Sequence, residues 1–305
     1  RLRDAGTHRR RDEDGLSRGM RAVGEETRVS VITERPIIPS EAVGADASFA
    51  CAPERDVVYA ERLEGGIEVV YLNQPRKKNA LSGEMMTKLD ALLRAADVDD
   101  GVRVVVLRGA GDDFSSGGDL DQGPALEPGP EGARKTLRRY LAVVRTIRTM
   151  SKPVVAMVDG YAVGGAFALV CASDLVCASE RALFVPAFCQ IGIVPEMGMM
   201  KLLPDLVGAQ RAKELLFFGG KIPALQLYDW GVVNRVFPTE TLEADTLWFA
   251  RQLAGMPDAS IHLTKNIMNA LADGNLEACL EAESTASPFC TTTKAYAATM
   301  EKFAR

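Results

Sequence analysis

The chain has 305 residues, 47% of them hydrophobic and 25% charged, with a formal net charge of −5. This hydrophobic content and balanced charge exclude a disordered chain, and the length is enough to bury a large core. A pI near 5.3 argues against a dedicated nucleic-acid binder, whose surface would be basic.

Residues 1–55 read as a flexible extension. Residues 1–28 carry eight Arg and six acidic residues with no apolar periodicity. They have no apolar h-region, so they do not read as a secretory signal, and the acids count against a transit peptide. The Pro, Ala and Gly that follow read as a linker. A core is expected over 56–250 and a helical region over 251–305.

Order begins near Val57. "DVVYAERLEGGIEVVYLNQP" holds two β-rich runs around Gly65-Gly66, a hairpin signal. "LSGEMMTKLDALLRAADV" predicts a helix with Ser82 as N-cap and Met86, Leu89, Leu92 and Leu93 on one face. "VRVVVLRG" predicts a buried strand. "ARKTLRRYLAVVRTIRTM" predicts an amphipathic basic helix, whose Arg side chains form a solvated face or meet phosphates. "KPVVAMVDG" is a second buried strand, followed by a Gly-rich turn into the helical "GAFALVCAS". "DLVCAS" and "ALFVP" read as strands. After Pro195 the chain reads as mostly helical. Alternating strands and helices predict an α/β fold with a mainly parallel sheet. The apolar run from Pro153 to Ala172 contains Asp159 and three Gly, so it reads as a core strand-turn-helix and not a membrane span.

Composition also limits the chemistry. The two His are His8, in the charged N-terminal tract, and His262, in the helix-like "SIHLTK". So few leave little for a His-rich metal site or a Ser-His-Asp triad, and no metal is expected. The six Cys (Cys51, Cys171, Cys177, Cys189, Cys279 and Cys290) form no C-x-x-C pair. Several lie in apolar runs, as reduced buried thiols do. A cytoplasmic, reducing compartment is expected, with an organellar matrix as the alternative.

Two turns stand out. "GAGDDFSSGGDL" follows a buried strand, where open α/β folds bind ligands. "DGYAVGGAFALV" opens a helix at Gly164-Gly165, where unpartnered N–H groups and the helix dipole attract anions. One N–H from each turn, converging on one oxygen, would form an oxyanion hole. Neither turn is a P-loop or a G-x-G-x-x-G fingerprint.

The pieces "NQPRKKNALS", "VRVVVLRGAGDDFSSGGDL", "KPVVAMVDGYAVGGAFALVCASDLVCAS", "ALFVPAFCQIGIVPEMGM" and "WGVVNRVFP" stand in the order found in the crotonase (enoyl-CoA hydratase/isomerase) superfamily. From about Val57 to the C-terminus the chain resembles that family. The resemblance implies a crotonase-like ββα spiral core with a C-terminal helical trimerisation region, and an acyl-CoA thioester as ligand. No cofactor is implied, because CoA arrives as part of the substrate. The oxyanion-hole donors fall by motif on Ser116 and Gly165. Trimers, often paired into hexamers, are implied, with no nucleic-acid or membrane partner.

Hydratases of this family resemble one another in using two Glu. The matched positions here are Ala168 and Phe188, which cannot activate water, so two-carboxylate hydration is disfavoured. One acid remains, Glu196 in "QIGIVPEMGM". The stretch resembles Δ3,Δ2-enoyl-CoA isomerases and epoxyphenylacetyl-CoA isomerase-like enzymes. A single carboxylate suffices for a 1,3-proton shift. Val194, Pro195, Met197, Met199 and Met200 would desolvate Glu196 and raise its pKa. A plainer role for Glu196 is as a helix-dipole partner beside Pro195 at N1.

The substrate is expected against Ser115, Gly117, Gly118, Asp119 and Leu120 in the first turn. Tyr161 and Gly164 of the second turn, with Phe188, Pro195 and Met197, complete that set. Asp119 reads chiefly as a turn-fixing or capping residue. CoA is expected near Ala80 and the basic loop Arg76, Lys77 and Lys78, with Lys302 matching a C-terminal Lys that reaches a neighbouring subunit's CoA. Ring isomerisation, hydrolysis, hydration or a non-catalytic acyl-CoA-binding scaffold are the competing readings.

Overall fold

The computed structural model of the protein describes residues 56–121 and 130–303. The expected extension over 1–55, with His8 and Cys51, lies outside the described residues.

Strands β1 (Val58–Leu63) and β2 (Ile67–Leu72) pair antiparallel across Gly65 and Gly66, whose φ values of 83° and 78° suit glycine. Next come α1 (Gly83–Val98), β3 (Val104–Gly109), α2 (Pro130–Thr149) and β4 (Val154–Val158). Then follow β5 (Tyr161–Val163), α3 (Gly165–Ala172), β6 (Leu175–Ser179) and β7 (Leu183–Val185). Helices α4 (Met199–Val207) and α5 (Ala209–Phe218) precede β8 (Ile222–Pro223), α6 (Ala224–Asp229) and β9 (Arg235–Phe237). Helices α7 (Leu242–Ala254), α8 (Asp258–Ala272), α9 (Leu276–Cys290) and α10 (Lys294–Phe303) complete the chain.

The main sheet has the order β1-β2-β3-β4-β6-β9 and is parallel from β2 onward. A second sheet, β5-β7-β8, is smaller. The main sheet is covered on both faces, and its alternation shows why. Val70, Leu72, Val105, Leu107, Val154 and Ala156 pack toward α1, α2 and α3. Their neighbours Ile67, Val69, Val104, Val106, Val155 and Met157 pack with Leu242, Ala250 and Ala254 of α7. Period-two side chains with both sets apolar give the near-continuous apolar strands of a buried parallel sheet. Helix α7 runs across position 250, so the expected division there falls inside a helix that belongs to the sheet's core.

Ser82 caps α1, its hydroxyl accepting from the Met85 N–H at 3.1 Å. The buried face is Met85, Met86, Leu89, Leu93 and Ala96, with Leu92 at its margin. On α2, Arg145 pairs with Glu277 of α9 at 2.8 Å and Arg148 with Asp273 at the end of α8 at 2.7 Å, and Arg134 pairs with Glu281 of α9. These Arg are therefore paired within the fold and not left for phosphates; Arg134 and Arg145 remain partly solvated, whereas Arg148 is mostly buried.

Two further corrections concern the region after Pro195. It is not all helix, because β9 forms the edge of the main sheet and β8 the edge of the smaller one. Pro195 is also not a helix N1 residue. It lies in irregular backbone, and α4 starts only at Met199 after the left-handed turn residues Met197 and Gly198. His262 lies on α8 beside Asp258, its Nε2 3.0 Å from that carboxylate, as the helix reading expects. Cys171, Cys177, Cys189, Cys279 and Cys290 are free. Among the described residues no helix is long and apolar enough to cross a membrane.

Because the Ser82 hydroxyl is buried and holds one of the orphan N–H groups of α1, Ser82→Ala should destabilise the fold by about 1 kcal/mol. Urea unfolding of the variant against the parent measures this.

Candidate active site

Strands β3 and β4 are adjacent and parallel, so their carboxyl ends share one edge of the sheet. The turn after β3 runs through Phe114–Asp119 and is sewn to its neighbours by backbone bonds. On one side, Phe114 N–H donates to Asp159 O at 2.8 Å, Ser115 N–H to Tyr161 O at 2.9 Å and Val163 N–H to Ser115 O at 3.1 Å. On the other, Leu81 N–H donates to Gly117 O at 2.7 Å and Asp119 N–H to Leu81 O at 3.0 Å.

Asn79 fastens the same turn to the basic loop. It is fully buried with φ 53°, and its Nδ2 donates to Ala110 O at 2.9 Å and Asp113 O at 2.7 Å, while its Oδ1 accepts from Gln74 N–H. An Asn tolerates this left-handed backbone and supplies both donors and an acceptor. Gly117 is needed for a different reason. Its φ is 86°, and a Cβ there would stand 2.6 Å from Val163 O.

These bonds correct one donor of the expected oxyanion hole. The Ser116 N–H is committed to Lys78 O at 2.8 Å, and the Gly117 N–H to Ser115 Oγ at 3.1 Å. Gly118 is the residue opposite Leu81 in a parallel bridge whose bonds are made by Gly117 and Asp119. Its own N–H therefore points away from Leu81 and has no partner among the described residues. In the second turn, Gly164 N–H donates to Val185 O, and Gly165 is the first residue of α3, where N–H groups are unpartnered. Gly118 and Gly165 line one cavity of about 290 Å³.

Glu196 lines the same cavity. The chain turns it inward through Met197 and Gly198, at φ 60° and 76°. Met197 is buried over α3, and a Cβ on Gly165 would lie 2.8 Å from its Sδ, so a larger residue there would have to displace that side chain. Ser287 of α9 donates a hydrogen bond to Glu196 Oε1. Burial pushes the Glu196 carboxyl up to about 7, against the Ser287 bond, which favours the charged form, and with help from the nearby Glu283 carboxyl. The desolvating shell differs from the expected one. Met197 lines the cavity, but Met200 is exposed, and Pro288, Tyr140 and Tyr296 contribute instead.

The structure brings together Ser116, Gly117, Gly118, Asp119, Leu120, Gly164, Gly165, Phe188, Glu196 and Met197. Asp119 fixes its turn, accepting from the Asp121 N–H at 3.0 Å and facing Lys77 at 3.4 Å. Pro195, Ala80 and Ser115 are buried outside the lining. Tyr161 also stands outside it, with Lys78 over its ring at 5.1 Å and Lys221 at 5.3 Å. Lys77 and Lys78 are not free cations: they pair with Asp121 at 2.8 Å and Asp113 at 3.2 Å. Arg76 is exposed. Lys302 is exposed in the last turn of α10. Ala168 is fully buried in α3, so the position of one hydratase acid holds a core methyl.

Sequence reasoning missed Tyr140, Ser287, Thr291 and Tyr296, all of which line the cavity. Tyr140 was legible only as a helix residue; its O–H donates to Leu81 O at 2.6 Å. The others come from α9, α10 and the turn between them, which cover the cavity of their own chain.

A model of the enoyl-CoA hydratase/isomerase family matches residues 62–304. The chain belongs to that family and is a crotonase-fold enzyme of acyl-CoA thioesters. It is 37% identical over 222 residues to 4-chlorobenzoyl coenzyme A dehalogenase-1 of an Arthrobacter species, covering 72% of this chain and 80% of the relative. Rat enoyl-CoA delta isomerase 2 is 35% identical over 226 residues, covering 73% of this chain and 57% of the relative. The crystal structure of an enoyl-CoA hydratase from Mycobacterium avium subsp. paratuberculosis K-10 matches with a TM-score of 0.74 at 28% identity, covering 82% of this chain and 96% of that one.

The two neighbouring glycines of the first turn should respond differently to a methyl group. Gly118 is not left-handed and has open space where its Cβ would stand. Gly118→Ala should unfold in urea like the parent, whereas Gly117→Ala should lose more than about 1 kcal/mol.

Proposed function

We propose that this protein is an enoyl-CoA isomerase that moves a 3-enoyl double bond into conjugation with the thioester. The observation that carries this reading is a single available carboxylate, Glu196, in a cavity shared with two unpartnered backbone N–H groups. The other carboxylate in the wall, Asp119, is held by Lys77 and its own turn. Ala168 and Phe188 stand at the two positions where the hydration acids would be needed.

In this reading the thioester oxygen lies between the Gly118 and Gly165 N–H groups, at the positive end of α3. Glu196 takes a proton from C2, and the resulting dienolate keeps its charge on the thioester oxygen. The protonated Glu196 then returns that proton to C4, giving the 2-enoyl thioester. A carboxyl held near neutrality suits both steps, since it gives up and takes a proton at similar cost. Arg76 is the member of the basic loop left for a CoA phosphate. The reading asks for no cofactor and fits a cytoplasmic or organellar-matrix enzyme. The exposed Leu263, Ile267, Met268 and Leu271 on α8 support assembly into a trimer or hexamer.

The 37% identity to a dehalogenase favours a second reading, displacement of chloride from an aryl thioester. That chemistry needs an ionised nucleophile and a base for water. A carboxyl raised to about 7 is only partly ionised at neutral pH, and among the described residues no His lines the cavity.

The test is conversion of a 3-enoyl-CoA to its conjugated isomer, followed by ultraviolet absorbance, beside chloride release from 4-chlorobenzoyl-CoA. Isomerisation without chloride release is the expected result. Glu196→Gln should lower kcat by about 1,000-fold or more while acyl-CoA binding stays within a few-fold. The base must be ionised, so kcat/KM should fall as pH drops below about 7 and level off above it. Parent-like turnover by Glu196→Gln, or hydration of the 2-enoyl-CoA as the main reaction, would exclude this mechanism.

A further inference from the structure

Glu196 is gripped from behind by one helix. Ser287 of α9 is 3% exposed and donates to Glu196 Oε1. Glu283, one turn earlier on α9, is fully buried and accepts the Gly198 N–H at 2.8 Å. Cys279, a further turn back, places its thiol 3.2 Å from the Glu283 carboxylate. Helix α9 thus holds the Glu196–Gly198 turn at both ends, across the left-handed Met197. Glu196 Oε2 has no hydrogen-bond partner among the described residues.

We propose that Ser287 is a positioning residue for Glu196: it occupies Oε1, leaves Oε2 for the substrate, and sets the proton affinity of the carboxyl. The inference rests on the reading of Glu196 as the base. Its consequence is directional. With Oε1 already accepting the Ser287 O–H, the shuttled proton is taken up and returned on Oε2, the oxygen without a protein hydrogen bond among the described residues. Without Ser287 the carboxyl is free to rotate and to hold its proton on the wrong oxygen.

The other groups around Glu196 do not replace this donor. Glu283 is a carboxylate and only opposes its charge. Tyr140 of α2 gives its O–H to Leu81 O. Tyr296 of α10 lines the cavity but makes no hydrogen bond to Glu196 among the described residues. Asp119 is paired with Lys77.

The experiment titrates Glu196 itself, so that it reads whether or not the enzyme turns over. Carbon-13-labelled glutamate carboxyls are followed by NMR in the parent, Ser287→Ala and Ser287→Thr, with the Glu196 signal identified by its loss in Glu196→Gln. Ala is a good helix residue, so α9 should persist. Removing a donor to the ionised form should raise the Glu196 midpoint by about one pH unit in Ser287→Ala. The acidic limb of kcat/KM for 3-enoyl-CoA should move up equally, with kcat down about tenfold or more and KM little changed. Ser287→Thr, which keeps the hydroxyl, should restore the parent midpoint. A Ser287→Ala midpoint equal to the parent's overturns the proposal. An upward midpoint in a parent that isomerises no 3-enoyl-CoA leaves the Ser287 assignment standing and overturns the isomerase reading instead.

Discussion

The site depends on the backbone ladder that lays the Phe114–Asp119 turn between Leu81 and β5. Each neighbour of Gly118 contributes one bond toward Leu81, Gly117 through its O and Asp119 through its N–H. A residue between two such bonds in a parallel bridge must turn its own N–H the other way. The donor is therefore aimed by hydrogen bonds it does not make, and no side chain has to hold it. The same ladder explains the close packing around it. A Cβ on Gly109 would stand 2.1 Å from Asp113 O, and one on Gly160 2.3 Å from Asp112 O. The turn can approach β4 and β5 only over bare backbone.

A backbone donor pair is rigid, but it does not move protons. The carboxyl proposed for that task enters from a different direction. Glu196 and Ser287 are 91 positions apart in sequence and meet only because α9 returns to the sheet's edge. The return is held by charge at the surface and by apolar contact inside. Arg145 and Arg148 of α2 pair with Glu277 and Asp273, while Leu276 and Leu280 enter the main core. The exposed Arg145–Glu277 pair adds little, the mostly buried Arg148–Asp273 pair is less screened, and the buried leucines contribute the apolar part of the docking.

Much of the fold was legible because it is written in local patterns. Gly65-Gly66, the Ser82 cap and the apolar runs of β3 and β4 each specify structure within a few residues. The Gly-rich turns could also be placed, since they follow buried strands. Which N–H each turn leaves free could not, because the motif "FSSGGD" offers several and only pairing with Leu81 and Lys78 decides among them. That is why Ser116 was the wrong donor. Asn79 gave no signal either, as one Asn in a basic loop reads as a surface residue until its three buried bonds are seen. The charges of "QPRKKN" read as free cations for the same reason: their Asp partners, Asp113 and Asp121, lie some forty residues away. Tyr140, Ser287, Thr291 and Tyr296 lay in helices whose polar residues look solvent-facing until the cavity beneath them is known.

The shortage of His now has a physical meaning within the fold. A His base near neutral pH would be charged when protonated, and burial would push its pKa down, away from the working range. A carboxyl is neutral when protonated, so the same burial pushes its pKa up, from the ordinary range to about 7. An apolar wall and a carboxyl thus arrive together at a proton carrier suited to neutral pH. The wall supplies the pKa, and backbone N–H groups supply the polarity that the wall lacks. Ser287 moderates the first effect by favouring the charged form, and Glu283 counters Ser287 with its own buried charge. In the proposed reading, chemistry at this site is tuned by how deeply α9 seats against the Glu196 turn. The cover of the cavity and the strength of its base are therefore set by the same helix.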